Sequence, residues 1–276
     1  MKTPLFTFVL FLLTISSFAQ ESSSESQRKN GVTISDTLIG GIPFQCYQYH
    51  FESPDRDLNY SVVLPVPEYD MAIAKIRRTL LGEDYNGNYE QQLREEFAAD
   101  SVEAALKVPE EGEDPKAPFE NEDYVSVTFE VFPQMIAEDL IIFSSYISEY
   151  FGGASHPTWA IFYYAFNYST GGQISQDDIL DASDETRQIV ARKLYTLLKA
   201  YVEEEDDGEQ DVLYMLNNNF YFTDKELVYN YMPYEVAAYM YGEPELSLPK
   251  KWLKPYLKKD GPLYQYWFGK KKGKKK

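Results

Sequence analysis

Two histidines and one cysteine are all the imidazole and thiol chemistry that this 276-residue chain offers. His50 and His156 stand far apart, and neither has a partner at the spacing that seats a metal on a helix. No metal and no cofactor is therefore expected. There is no phosphate-cradling glycine loop and no nucleophile elbow. His156 lies in Gly152-Gly153-Ala154-Ser155-His156-Pro157, a turn composition in which an imidazole can orient a backbone carbonyl or meet a ligand. Ser155 or Ser169 with His156 and Asp177 would make a catalytic triad, but nothing in the spacing supports one. The 44 acids guarantee accidental carboxylate pairs. Asp177-Asp178 and Glu235 stand out, because their apolar neighbours would desolvate them and raise their pKa. Acids in such places also cap helices, so both uses stay open.

Aromatic residues are the larger signal, with 24 Tyr and 17 Phe. Tyr146, Tyr150, Phe151, Trp159, Tyr163 and Tyr164 crowd the middle of the chain, and Tyr229, Tyr231, Tyr234, Tyr239 and Tyr241 the last third. Successive strand residues face opposite sides, so some of these rings must line a surface. Surface tyrosines suit protein or sugar recognition, and they also suit the wet face of a sheet.

These residues need elements to position them. Phe44–Phe51 and Tyr60–Leu64 alternate as two strands about the turn Ser53-Pro54-Asp55. Pro67 and Gly82 bracket a helix carrying Met71, Ile76 and Leu80. A second helix spans about Asn88 to Lys107, with Tyr89, Leu93, Phe97, Val102 and Leu106 at helical spacing. The stretch from Pro109 to Asp123 is acidic and proline-rich, as a solvated linker is. Val125–Val131 reads as a strand with one buried and one wet face, followed by strands over Leu140–Phe151 and Trp159–Tyr168. Ser183 or Asp184 caps a helix bearing Val190, Leu194, Leu197 and Tyr201. Phe220–Phe222 and Leu227–Tyr231 form a hairpin, and Glu245–Leu248 a short strand before a helical turn at Pro249. Segregated strands and helices predict an α+β fold, antiparallel sheet with helices packed on one face.

The net charge of −18 argues against nucleic acid as a partner. Met1-Lys2, an apolar run from Leu5 to Ile15 and Ser17-Phe18-Ala19 read as a signal peptide over 1–19, placing the mature chain outside the cytoplasm with no transmembrane segment. Residues 20–41 read as a flexible leader, 42–160 as an N-terminal α+β module, 161–257 as a C-terminal one packed on it, and 258–276 as a basic tail. Cys46 reads as a buried thiol.

Tyr150-Phe151-Gly152-Gly153-Ala154-Ser155-His156-Pro157, then Asn167-Tyr168-Ser169-Thr170-Gly171 and Asp177-Asp178-Ile179-Leu180, follow a family pattern. That pattern has Tyr-x-Gly-Gly-Ala-His, an Asp-x-x-Thr-Gly segment and a Leu-x-Asp-Leu-Phe segment. Tyr234-Glu235-Val236-Ala237-Ala238-Tyr239 with Gly242 matches its closing Tyr-Glu-Ile-Ala-Pro-Tyr-x-x-Gly. The chain thus resembles a bacterial extracytoplasmic domain of unknown function, found in RsiV-like lysozyme-sensing anti-sigma factors and PdaC-like peptidoglycan deacetylases. Ser155 is inserted, Asn167 replaces the usual Asp, and Ala238 replaces the Pro. The resemblance implies a non-catalytic binding or sensor module for lysozyme or peptidoglycan. Its binding edge would comprise Tyr150, Gly152, Gly153, His156 and Trp159, with Tyr234, Glu235 and Tyr239 beside them. The rivals are a cell-wall glycan enzyme using Glu235 and Asp177 as acid and base, and a structural envelope protein tethered by its Lys tail.

Overall fold

The alternation of apolar and polar residues builds one long sheet, whose strands follow each other in chain order. In the computed structural model, residues 30–67, 70–106, 121–205, 208–209 and 211–269 are described. Strands β1 (Gly31–Ile39), β2 (Ile42–Ser53) and β3 (Arg56–Pro65) form an antiparallel meander. Helices α1 (Met71–Leu81) and α2 (Tyr89–Leu106) then carry the chain across, so β4 (Val125–Ala137) joins β3 in parallel. Strands β5 (Leu140–Phe151), β6 (Thr158–Asn167) and the two-residue β7 (Gly172–Gln173) complete seven. After α3 (Gln176–Ile179) and α4 (Asp184–Tyr201), a second sheet has the order β10-β9-β8, from β8 (Phe220–Phe222), β9 (Glu226–Asn230) and β10 (Glu245–Pro249). Short helices α5 (Lys250–Leu253) and α6 (Pro262–Phe268) follow. The class is α+β, as expected.

The helices do not line one face. Ile141, Phe143 and Phe166 point into a core shared with β2, β3, α1 and α2. Their strand neighbours Leu140, Ile142, Tyr163 and Ala165 point into the opposite core, shared with α4 and the small sheet. Period-two alternation thus gives β5 and β6 two buried faces.

Several expectations change. Residues 31–39 of the expected leader form the edge strand β1, paired without a bulge from Gly31↔His50 to Ile39↔Ile42. The boundary expected at 160/161 falls inside β6, and the described residues from Gly31 onward make one compact unit. Asp70, not Pro67, opens α1: its carboxylate accepts from the Ala72 and Ile73 amides, while Val66-Pro67 is cis. Met71 is 78% exposed, and the fully buried Arg77 takes the inner face with Ile73, Ile76 and Leu80. Its Nε donates to the Pro65 carbonyl at 2.8 Å. β4 has no uniformly wet face, since Glu130 is half-buried and burial pushes its carboxyl up. The signal peptide, residues 107–120 of the linker region and Lys270–Lys276 lie outside the described residues.

Helix α2 docks through acids as well as apolar residues. Val102 is 61% exposed, whereas Glu96 accepts from the Tyr60 hydroxyl at 3.0 Å and Asp100 accepts from the Tyr49 hydroxyl. Arg56 bridges Asp100 at 2.8 Å and Glu103 at 2.7 Å. Burial pushes Glu96 up, Asp100 adds to this, and the Tyr60 bond opposes it.

The two sheets meet along the outer edge of β6, where β7 covers only Phe166 and Asn167. The Ile161 carbonyl accepts from Asn219 Nδ2 at 2.8 Å and Asn230 Nδ2 at 3.0 Å. The Tyr163 amide donates to Asn219 Oδ1 at 2.8 Å, and the Ile161 amide to Glu243 Oε1 at 3.1 Å. Asn219 therefore acts as a one-residue strand, accepting and donating as a backbone would. Asn219→Ala is expected to cost about 2–3 kcal/mol, the scale of leaving buried backbone groups unpaired. Asn219→Asp, which keeps only the acceptor, should also destabilise; urea unfolding of both variants measures it.

Candidate functional site

The 231–244 loop between β9 and β10 is shut at its base by the Tyr231 amide, which donates to the Pro244 carbonyl at 3.1 Å. Glu235 staples its first turn. One carboxylate oxygen accepts from the Met232 amide at 2.8 Å and the other from Asn217 Nδ2 at 3.2 Å, while the Glu235 amide donates to the Met232 carbonyl at 3.0 Å. The turn holds Tyr234 at φ 69°, a left-handed conformation costing a non-glycine residue on the order of 1 kcal/mol. Its ring is 68% exposed. A 3₁₀ turn over Tyr239–Tyr241 follows, ended by Gly242 at φ 70°. The C-terminal end of α4 pins this turn. Tyr201 donates from its hydroxyl to the Tyr241 carbonyl at 2.7 Å, and Tyr241 from its own to the Val202 carbonyl at 3.3 Å.

The β5–β6 connection meets this loop. The Gly152 amide donates to the Tyr124 carbonyl at 2.7 Å, and a Cβ on Gly152 would overlap the Asn121 carbonyl. Gly153 takes φ 79°. Exposed His156 pairs its Nδ1 with the Pro157 carbonyl at 3.0 Å; a carbonyl only accepts, so Nδ1 carries the proton. That bond turns the imidazole onto Tyr239, with ring centres 4.5 Å apart and planes 25° from parallel. Tyr239 also stacks with Tyr234 at 5.3 Å and meets Trp159 edge-on at 5.1 Å. The result is a surface cluster of four rings centred on Tyr239.

Carboxylates adjoin it. Glu243 accepts from the Ile161 amide and the Trp159 indole. Burial nonetheless pushes its carboxyl up, and the charge of Glu245 adds to this. Burial also pushes Glu245 up, against the bonds it accepts from Tyr221, at 3.3 Å, and Tyr163. Exposed ring faces beside carboxylates can hold a Lys or Arg side chain by cation–π contact, or a pyranose by its apolar face.

Of the eight residues singled out from the sequence, His156, Trp159, Tyr234 and Tyr239 come together. Tyr150 does not join them: its ring packs on Tyr124 at 6.3 Å. Gly152 and Gly153 shape the turn, and Glu235 builds the loop. Asp177 is ion-paired with Arg187. Cys46 is half-buried in β2, where burial pushes its thiol up. Sequence reasoning missed Glu243 and the asparagines. The run Asn217-Asn218-Asn219 before a strand was the available signal.

Residues 177–251 match the family described as "Protein of unknown function (DUF3298)". A DUF3298 domain is therefore found in this chain. A crystal structure of a DUF3298 family member from Bacteroides fragilis superposes with a TM-score of 0.60 at 14% identity, covering 88% of this chain and 100% of that one. A DUF3298 family protein from Pseudomonas aeruginosa gives 0.48 at 15% identity, over 84% and 95% of the two chains. At such identity the Bacteroides protein shares the fold. No curated protein matches the chain. Among the described residues, no helix is long and apolar enough to cross a membrane.

Because folding raises the Glu243 pKa, its contribution to stability is present in full below the ordinary carboxylate range and lost as pH rises through the folded value. Glu243→Gln keeps an acceptor oxygen and has no proton to lose. Urea midpoints should nearly coincide near pH 4, with the variant the more stable near pH 7.

Proposed function

We propose that this chain is an extracytoplasmic, non-catalytic binding or sensor module for a cell-wall hydrolase of the lysozyme class. The ring cluster of His156, Trp159, Tyr234 and Tyr239 carries the reading, because it unites two separate motifs of the resemblance on one exposed surface. The net charge of −18 supports a basic partner, which such a field would steer and accelerate. The signal-peptide pattern at 1–19 supports a place outside the cytoplasm. Peptidoglycan is the second candidate ligand, since ring faces beside carboxylates also suit sugars.

The rival enzyme reading needs Glu235 and Asp177 free for proton transfer. Both are engaged, Glu235 by two N–H donors and Asp177 by Arg187. An enzyme would lose turnover in Glu235→Gln while staying folded; a binding module has none to lose.

Calorimetry of the chain from Gln20 with a c-type lysozyme tests the proposal. Micromolar or tighter binding is expected, and it should persist at roughly 0.5 M salt, where screening shortens to about 4 Å. Tyr239→Ala should weaken it by about tenfold or more, as truncation of a central aromatic anchor does. Heat that vanishes with salt would reduce the interaction to general charge attraction and overturn the reading. Absence of heat would remove lysozyme and leave muropeptides as the ligand to titrate.

A further inference from the structure

Strand β5 is covered on both sides only over its first part. Leu140 and Ile142 face the core shared with α4, but farther along the same side come Tyr146, Ser148 and Tyr150, with both tyrosines outside either core. Strand register extends this side across the large sheet. Gly31, His50, Asn59, Thr128, Ser148 and Trp159 are successive cross-strand partners from β1 to β6. Thr33, Gln48, Ser61, Glu130 and Tyr146 form the row on one side of them, and Glu52, Asp57, Ser126 and Tyr150 the row on the other. By alternation all of them lie opposite Tyr49 and Tyr60, which bond to α2. None of these residues is fully buried.

Residues 30–67 contain a single Lys or Arg, Arg56, and residues 121–174 contain none. Arg56 turns to the α2 side, where Asp100 and Glu103 hold it. The opposite face is therefore built without a cation, and has nothing with which to hold a phosphate, a uronate or a nucleic acid. On β1–β5 its three rows also carry no Val, Leu, Ile or Met, so they lack the aliphatic patch that the core of a protein interface buries. What they carry are hydroxyls, carboxamides, carboxylates and, toward β6, the rings of Tyr146, Tyr150 and Trp159. Rings stack on the apolar face of a pyranose, while the other groups exchange hydrogen bonds with its hydroxyls. The middle row is already ordered for this: Asn59 Nδ2 donates to Asp57 Oδ1 at 2.6 Å, and Asn59 Oδ1 accepts from His50 Nδ1 at 2.9 Å.

We propose that this open face of β1–β6 binds an uncharged polysaccharide chain laid across the strands, with Tyr146 and Trp159 as its stacking platforms. Five strand spacings of about 4.8 Å make the middle row roughly 24 Å long, which accommodates several sugars. Hydroxyl and amide groups recur along it strand by strand, as hydroxyls recur along an extended glycan. Trp159 is the one residue shared with the cluster around Tyr239. The proposal goes beyond the hydrolase-binding reading and does not depend on it.

Calorimetric titration of the chain from Gln20, which retains every described element, tests this. The probes are the linear hexamers of N-acetylglucosamine and of glucose, with hexagalacturonate as the anionic comparison. Binding is expected to at least one neutral hexamer and not to hexagalacturonate, and it should be unchanged at roughly 0.5 M salt, since an uncharged ligand forms no ion pair to screen. Tyr146→Ala should weaken it by about fivefold or more, the scale of a lost ring contact. Thr128→Val with Ser148→Ala keeps the strands, because Val suits a strand as well as Thr, and should weaken it by about fivefold for each hydroxyl removed. Met71→Ala, at an exposed position on α1, should bind as the parent does. No binding to either neutral hexamer, equal binding of hexagalacturonate, or undiminished binding by the Thr128→Val, Ser148→Ala variant would overturn the proposal. So would loss of lysozyme heat in that variant without glycan binding by the parent, which would make the face a protein interface. Glycan binding without lysozyme heat would overturn the hydrolase reading alone.

Discussion

The outer edge of β6 is the constraint on which the rest depends. An open edge inside a protein presents amides and carbonyls that must be paired, and β7 is too short to do it. Side chains from three separate places supply the missing partners: Asn219 ahead of β8, Asn230 at the end of β9, and Glu243 ahead of β10. Each contact fixes a different piece of the small sheet against the large one. Once Glu243 is held on the Ile161 amide, the loop 231–244 is anchored at that end, and Trp159, two residues before Ile161, is brought beside Tyr239. The ring cluster follows from how the edge is closed.

Where the sequence resisted reading, the cause is the same kind of side-chain substitution. Strands β2 and β3 are legible from alternation of apolar and polar residues, and β5 and β6 from apolar and aromatic runs that suit two buried faces. β1 carries Thr, Ser or Asp at four of its nine positions and lies at an edge, so its pattern fades into that of a leader. Helix α2 was legible as a helix but not by its buried face. Apolar periodicity favoured Val102, whereas Glu96 and Asp100 take tyrosine hydroxyls and turn part of an acidic face inward. A pattern that counts every acid as solvated cannot anticipate that. The boundary expected at 160/161 falls inside β6, and the strand pair β5 and β6 serves both cores.

The candidate site was half legible. The motifs containing His156 and Tyr239 are about eighty residues apart, and only tertiary structure shows that they meet. Other residues of the same motifs have structural work. Asn167 donates to Asp139 at 2.6 Å and accepts from the Thr170 amide at 2.9 Å, and a Cβ on Gly171 would overlap the Ala72 carbonyl. The Asp that the related pattern carries at this position would set one carboxylate against another. An Asn at 167 and an Asp at 139 are thus mutually consistent, and the departure leaves the turn intact. Glu235, conspicuous as an acid, is a staple of the loop.

These assignments narrow what the surface can do. Around the cluster, Glu235 accepts from two donors, Glu243 from two more, and the His156 Nδ1 proton goes to the Pro157 carbonyl. Ring area is what remains exposed, above all Tyr234. Its left-handed backbone is imposed by the Glu235 turn and lifts a large amphipathic side chain into solvent. A fold that merely needed a turn there would be served by Gly or Asn, which adopt that conformation with less strain. A Tyr in the strained position, stacked on a second Tyr that is itself stacked on a His, presents ring area suited to contact with a partner.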